Sequence, residues 1–170
     1  MDLRDLVDYL DDYLCIDDFA DLSDNGLQVE GDEEVLRVGF AVDACLQAFE
    51  KAAAAAVDML IVHHGLFWDE SLMVAGLHKR RLQVLLDNNM SLYTAHLPLD
   101  AHTEVGNNVE MARLLRLHPI DKFGISRGGQ PVGLIATADP PVSLEDLRER
   151  LGAATGSPAS VWPFRQQAGN

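Results

Sequence analysis

Lysine is almost missing from this chain: only Lys51, Lys79 and Lys122 occur among 170 residues. Arginine brings the basic count to 13 against 27 acids, a formal net charge of −14. Such a surface repels polyanions, so neither nucleic-acid binding nor docking on anionic membranes is expected. It suits a protein kept soluble at high salt, where self-repulsion is screened, and points to a halophilic source. Cysteine is scarce too. Cys15 and Cys45 stand far apart with no metal knuckle around either, and both are expected to be reduced and partly buried. Apolar runs are short, none near the roughly 20 residues that span a bilayer. The opening MDLRDLVDYLDD lacks a basic start and an apolar stretch. It reads as neither a signal nor a transit peptide, and the expected location is cytoplasmic. Several catalytic motifs are missing as well: no G-x-S-x-G, no P-loop, no G-x-G-x-x-G after a strand, no nucleophile motif around a cysteine.

What is present is a core-forming chain, 48% hydrophobic and long enough for one domain or one domain with part of a second. Leu3, Leu6, Val7, Leu10 and Leu14 recur at helical spacing, which predicts an amphipathic first helix. Ser23-Asp24-Asn25-Gly26 signals a turn into a short strand at 27–29. Residues 35–42 are rich in β-branched side chains and read as a buried strand. The alanine-rich 44–57 is a helix by propensity, and the apolar 59–62 a strand ending at His63. A helix over 78–87 and a strand over 92–95 follow, then a loop whose Asn107 or Asn108 caps a helix over VEMARLLRL. This alternation predicts an α/β domain over residues 1–122, with a mostly parallel mixed sheet flanked by helices. Beyond it KFGISRGGQP is glycine-rich and irregular, then come a strand (PVGLIATA), a helix capped by Ser143 and a strand at 160–164. Residues 123–170 therefore make a partial, βαβ-like second α/β domain, small for a core of its own.

Two consecutive histidines leaving an apolar strand are costly to bury, because each ring needs partners for two nitrogens. Metal ligation would satisfy His63 and His64, and Gly65 would let the backbone turn closely around an ion. Sites in parallel sheets form at the carboxyl ends of strands, and the segment holding His96 and Asp100 starts at such an end. A carboxylate there can bridge two cations while histidines terminate each, a centre that activates water and polarises ester, amide or phosphoryl oxygens. The plain alternatives are a pair of ordinary histidines and a turn or capping aspartate. His102 and Glu104 lie deeper in the loop; His78 and His118 read as surface residues near helix ends.

Three stretches in this order, Asp24-Asn25-Gly26-Leu27-Gln28-Val29, Val62-His63-His64-Gly65-Leu66-Phe67-Trp68, and His96-Leu97-Pro98-Leu99-Asp100 with Gly106-Asn107-Asn108, resemble the Nif-three-like family. Its members are also known as YbgI-type dinuclear metal-centre proteins or GTP cyclohydrolase I type 2 homologues. The resemblance implies a Nif-three-like α/β fold, two divalent metal ions (Zn, Fe, Mn, Ni or Mg) and a ring-shaped homohexamer acting on a small-molecule substrate. It assigns metal ligation to His63, His64 and Asp100, with Asp100 as the bridge. His96 stands in or beside the site, handling a proton. Asn25 and Gln28 match a motif near the site without a defined role; Asn25-Gly26 alone is a turn. The chain departs from the pattern at its end: the family's later His-x-x-x-Glu, which supplies further ligands, has no counterpart, His118 being the last histidine. The implied activity is metal-dependent hydrolysis, of GTP or of a phosphoester. The alternative is a non-catalytic metal-binding or metal-delivery protein.

Overall fold

The computed structural model describes residues 1–162. Of the strand expected at 160–164, residues 160–162 are not extended into any ladder and the rest lies outside the described residues.

The aspartate-laced first segment forms helix α1 (Leu3–Leu14), whose N-cap Asp2 accepts from the Arg4 and Asp5 amides. Asp24-Asn25-Gly26 turns the chain at Gly26, where φ is +91°, a conformation that glycine adopts without steric cost. Then follow β1 (Gly26–Val29), β2 (Val38–Asp43), α2 (Leu46–Ala54), β3 (Met59–His64), α3 (Gly76–Asp87) and β4 (Ser91–Thr94). The strand order is β1-β4-β3-β2. Strands β2, β3 and β4 are parallel, and β1 runs antiparallel to β4. This is the mixed, mostly parallel sheet that the pattern predicts.

Side chains alternate across a strand, so each strand feeds two cores. Leu60 and Val62 of β3 and Leu92 of β4 pack with Phe49, Ala52 and Leu85 from α2 and α3. Met59, Tyr93 and Ala95 pack on the other face with Leu3 and Leu14 of α1. Tyr93 is fully buried, and its hydroxyl donates to Asp11 Oδ1 at 2.7 Å, tying α1 to the sheet. Strand β2 is an exception to the expected burial. It is the edge of the sheet, and Val38, Phe40 and Val42 are exposed: a buried strand needs cover on both faces, and β2 has it on one. Cys15 is likewise exposed, because it closes α1 in a left-handed conformation at φ 55°; Cys45 is half-buried.

After β4 come two short helices, α4 (Leu97–Ala101) and α5 (Asn107–Leu114), so Asp100 sits on a helical turn instead of a loop. Pro98 stands in the first turn of α4, where its missing N–H has no partner to lose. The N-cap of α5 is Gly106, and neither asparagine caps it. Strands β5 (His118–Ile125) and β6 (Pro131–Thr137) form an antiparallel hairpin, followed by α6 (Leu144–Thr155). The expected βαβ-like piece is thus a hairpin followed by a helix. Half of the glycine-rich stretch is strand: β5 runs on to Ile125 and β6 starts at Pro131, while 126–130 turn, closed by the Ser126 N–H on the Gln130 carbonyl. Ser143 caps α6 as expected, in a reciprocal capping box with Asp146.

Candidate metal centre

In a parallel ladder the strands end on one side, and here the register sets which residues end it. Asp43 of β2 faces His64 of β3, and Val62 faces Thr94, so His96 emerges two residues beyond the end of β4. Consecutive side chains on a strand point to opposite faces, so two adjacent histidines can meet only where the strand gives out, and His63 and His64 are the last two residues of β3. They do so: the ring centroids of His63 and His64 are 4.6 Å apart, and His96 stands 5.0 Å from one and 5.6 Å from the other. One ring nitrogen from each of the three lies within 4.8 Å of the others.

Each ring is held by the nitrogen that faces away from this cluster. His63 Nδ1 lies 2.9 Å from the Ala95 carbonyl oxygen. His64 Nδ1 lies 2.8 Å from Asp43 Oδ1, and His96 Nδ1 2.9 Å from Asp21 Oδ2. Carbonyl and carboxylate oxygens only accept, so each Nδ1 carries the hydrogen and each Nε2 keeps its lone pair. Three imidazole lone pairs aimed into one small volume, with their opposite nitrogens hydrogen-bonded, are the donor set and support that a divalent cation takes. The residues present fit such an ion.

Asp100 stands beside this set. Its Oδ1 lies 3.6 Å from His63 Nε2 and accepts from Asn107 Nδ2 at 2.8 Å. Asn108 Nδ2 donates to the Asp100 carbonyl at 3.0 Å and to the Val132 carbonyl at 2.7 Å, pinning the β5–β6 hairpin to α4. The two asparagines thus hold Asp100 and its turn. The structure draws His63, His64 and His96 into one cluster, with Asp100 at its side through His63.

Asn25 and Gln28 acquire definite tasks. Asn25 Oδ1 accepts the His96 backbone N–H at 2.7 Å. Gln28 Oε1 accepts from the Leu66 and Phe67 amides at 2.7 and 3.3 Å, while its Nε2 donates to the Asp24 carbonyl at 2.7 Å. The glutamine therefore clamps the turn that follows His64. Gly65 is small for the sake of this clamp: a Cβ there would lie 2.5 Å from both Gln28 amide atoms. The close approach that the structure shows at Gly65 is to Gln28 and Thr94.

Sequence reasoning passed over three residues. Asp43 ends β2 opposite His64, legible only once the strand register is known. Trp68 packs edge-on against His96 at 5.0 Å and donates Nε1–H to the Gly65 carbonyl at 3.0 Å. Asp21 has no motif around it, yet its side chain is only 3% exposed. Burial pushes its carboxyl upward, but the Leu97 N–H, the Asn25 amide, the Ser23 N–H and His96 outweigh burial and hold it below the usual carboxylate range.

The other histidines have structural tasks. His102 Nε2 meets the Tyr13 carbonyl at 2.9 Å, tying the α4–α5 loop to α1, where Tyr13 also donates to Glu104 at 3.2 Å. His78 is half-buried against Phe67 instead of lying on the surface. His118 is exposed at the start of β5, a strand and not a helix end.

Comparison with known proteins gives the family and the fold. A family model described as Duf34/NIF3 (NGG1p interacting factor 3) matches residues 1–167. A relative from Archaeoglobus fulgidus named GTP cyclohydrolase 1 type 2 homolog is 46% identical over 98% of this chain and 66% of its own length. The crystal structure of TTHA1606 from Thermus thermophilus superposes with a TM-score of 0.83 at 48% identity, over 93% of this chain and 63% of that one. The ybgI protein, described as of unknown function, superposes at 0.85 with 34% identity, over 93% and 62%. The chain spans from 62% to 66% of the length of these relatives.

Proposed function

The chain belongs to the Duf34/NIF3 family, and from that premise we propose that it is a metal-dependent hydrolase built on His63, His64, His96 and Asp100. One observation carries the reading: three histidines bring one ring nitrogen each to within 4.8 Å of the others while all three Nδ1 atoms are hydrogen-bonded, which leaves the Nε2 atoms for a ligand. That pattern holds rings for ligation, and a purely structural cluster would have no use for it. A bound divalent cation supplies Lewis acidity, which activates water and polarises an ester, amide or phosphoryl oxygen. The chain's own residues do the rest. The Ala95 carbonyl, Asp43 and Asp21 orient the rings, Trp68 packs edge-on against His96, and Asn107 holds the Asp100 carboxylate. Asp100, beside His63, would be the carboxylate available to a second ion. Four donors are few for two ions, so the second draws on water or on residues outside this set.

The relatives' name makes GTP the first substrate to test, with phosphoesters second. The ring-shaped homohexamer belongs to the same proposal and is read by light scattering. The experiment measures bound metal per protomer and turnover of GTP and generic phosphoesters, in the parent protein and in His64→Ala and Asp100→Ala. Metal in the parent and turnover lost in both variants is the expected result. A protein that binds no divalent metal sinks the reading. Stoichiometric metal without turnover favours a metal-delivery protein, for which the 45% exposed His64 would be the open face through which a partner takes the ion.

A further inference from the structure

The three histidines share one layout, but their supports differ. His63 leans on a backbone carbonyl, and His64 on the Asp43 carboxylate, which is 66% exposed. Only His96 is backed by a buried carboxylate, Asp21 at 3% exposure. Every group around that carboxylate is a donor. Oδ1 accepts from the Leu22 and Ser23 amides at 2.6 and 3.2 Å, and Oδ2 from Asn25 Nδ2 and the Leu97 amide at 3.1 and 3.0 Å. His96 Nδ1 reaches both oxygens, at 3.1 and 2.9 Å. Asn25, held by Asp21, in turn accepts the His96 backbone N–H at 2.7 Å. Residues 21–25 thus grip His96 twice, once by its ring and once by its main chain.

We propose that Asp21 is the positioning residue of the metal centre: its buried carboxylate, braced by Asn25, fixes the orientation and tautomer of His96 so that Nε2 faces His63 and His64. Nothing else among the contacts of the His96 ring sets its tautomer, since Trp68 packs on it edge-on and the other two histidines present bare nitrogens. The carboxylate cannot be replaced by its amide. An asparagine NH2 at either oxygen position would face two N–H donors, the Leu22 and Ser23 amides on one side or Leu97 and Asn25 on the other. Whichever way it turned, it would set a donor as well as an acceptor against His96 Nδ1, which both oxygens now reach; the preference for Nδ1–H would weaken in favour of the Nε2–H tautomer, which has no lone pair to offer inside the cluster.

This inference rests on the metal-site reading, but its first test needs no metal. Long-range 1H–15N correlation spectra of the metal-free protein at about pH 8, above the ordinary histidine range, report the tautomer of each ring. The expected result is Nδ1–H for His96 in the parent chain and in Asp21→Glu, which keeps a carboxylate. In Asp21→Asn, Nε2–H or a mixture is expected. Zinc affinity by calorimetry should then fall roughly 10–100-fold in Asp21→Asn and recover at least in part in Asp21→Glu. A parent His96 in the Nε2–H form overturns the proposal, and this outcome is readable even if no variant folds. So does an Asp21→Asn protein that keeps Nδ1–H and parental zinc affinity. A parent that shows the Nδ1–H tautomer but takes up no zinc defeats the proposed function instead, and leaves the Asp21–His96 pairing standing.

Discussion

Gly65→Ala is the sharpest test of how the turn after the two histidines is built. The new Cβ would lie 2.5 Å from Gln28 Nε2 and from Oε1, and closer still to Thr94 Oγ1. Thr94 is fully buried, and Gln28 cannot retreat without releasing the Leu66 and Phe67 amides it accepts. Forcing one methyl into such a contact costs about 1–3 kcal/mol. Stripping a buried amide such as that of Leu66 of its acceptor adds about 1–3 kcal/mol. The sum, about 2–6 kcal/mol, corresponds to a melting point roughly 4–24 °C lower for a chain of this size. Thermal and urea melts read it directly. The cause is isolated by a double-mutant cycle with Gln28→Ala, which removes two of the clashing atoms. In that background Gly65→Ala should cost less by at least about 1 kcal/mol, a coupling within the range seen for residues in contact. If Gly65→Ala melts with the parent, or costs the same in both backgrounds, the clamp does not explain the glycine.

Four further outcomes follow from other parts of the molecule. Tyr93→Phe removes the 2.7 Å bond to Asp11 and should cost about 1–2 kcal/mol in urea melts. Burial, then Asp11, raises the Tyr93 hydroxyl above its ordinary value of 10.0. Its contribution is therefore complete below the unfolded value and declines as pH rises above it, so melts above about pH 10 should fall less steeply in the phenylalanine variant. Ser143→Ala breaks the capping box and should cost about 0.5–2 kcal/mol of local stability, seen as faster amide exchange in α6. The Ser143 hydroxyl and amide hold the Asp146 carboxyl below its ordinary 3.8. That support is present above the unfolded value and lost as pH falls through the folded one, so the first turn of α6 should loosen on acidification, followed by the Asp146 carbon shift. Finally, the net charge of −14 should make the melting temperature rise steadily from dilute buffer into molar KCl as repulsion is screened; a flat salt profile would remove the halophilic reading.

The parts of the fold that periodicity can encode were legible in the chain. Leucines at helical spacing mark α1, the apolar run before His63 marks β3, and Ser143 marks the start of α6. Edges and partners were not. The β-branched 35–42 read as buried because composition reports what a strand could pack, not whether a neighbour is there; β2 turned out to be an edge with Phe40 in solvent. Glycines at 124, 128 and 129 suggested irregular chain, yet β5 and β6 pair through Phe123 and Gly133, since ladder hydrogen bonds come from the backbone and tolerate weak propensity. Asp100 lay on a helical turn because Pro98 preorganises a first turn that the surrounding polar residues concealed.

The site shows the same division at higher resolution. Candidate ligands announce themselves, since two adjacent histidines at a strand end are costly to bury without partners. Their supports do not, because a hydrogen bond to Nδ1 can come from any acceptor the fold brings near. Here it comes from a carbonyl 32 residues away, a carboxylate 21 away and another 75 away. Nothing in the local sequence of Asp21 or Asp43 distinguishes them from the other acids of so acidic a chain. The discriminating property is burial: of the two carboxylates, the one at 3% exposure has only donors around it, and the one at 66% is free to be rehydrated. Removing Asp43 should therefore change the site far less than removing Asp21, because water already surrounds the acceptor on His64, whereas the carboxylate behind His96 is only 3% exposed. Among acids equal in the sequence, the fold makes one of them specific by taking away its water.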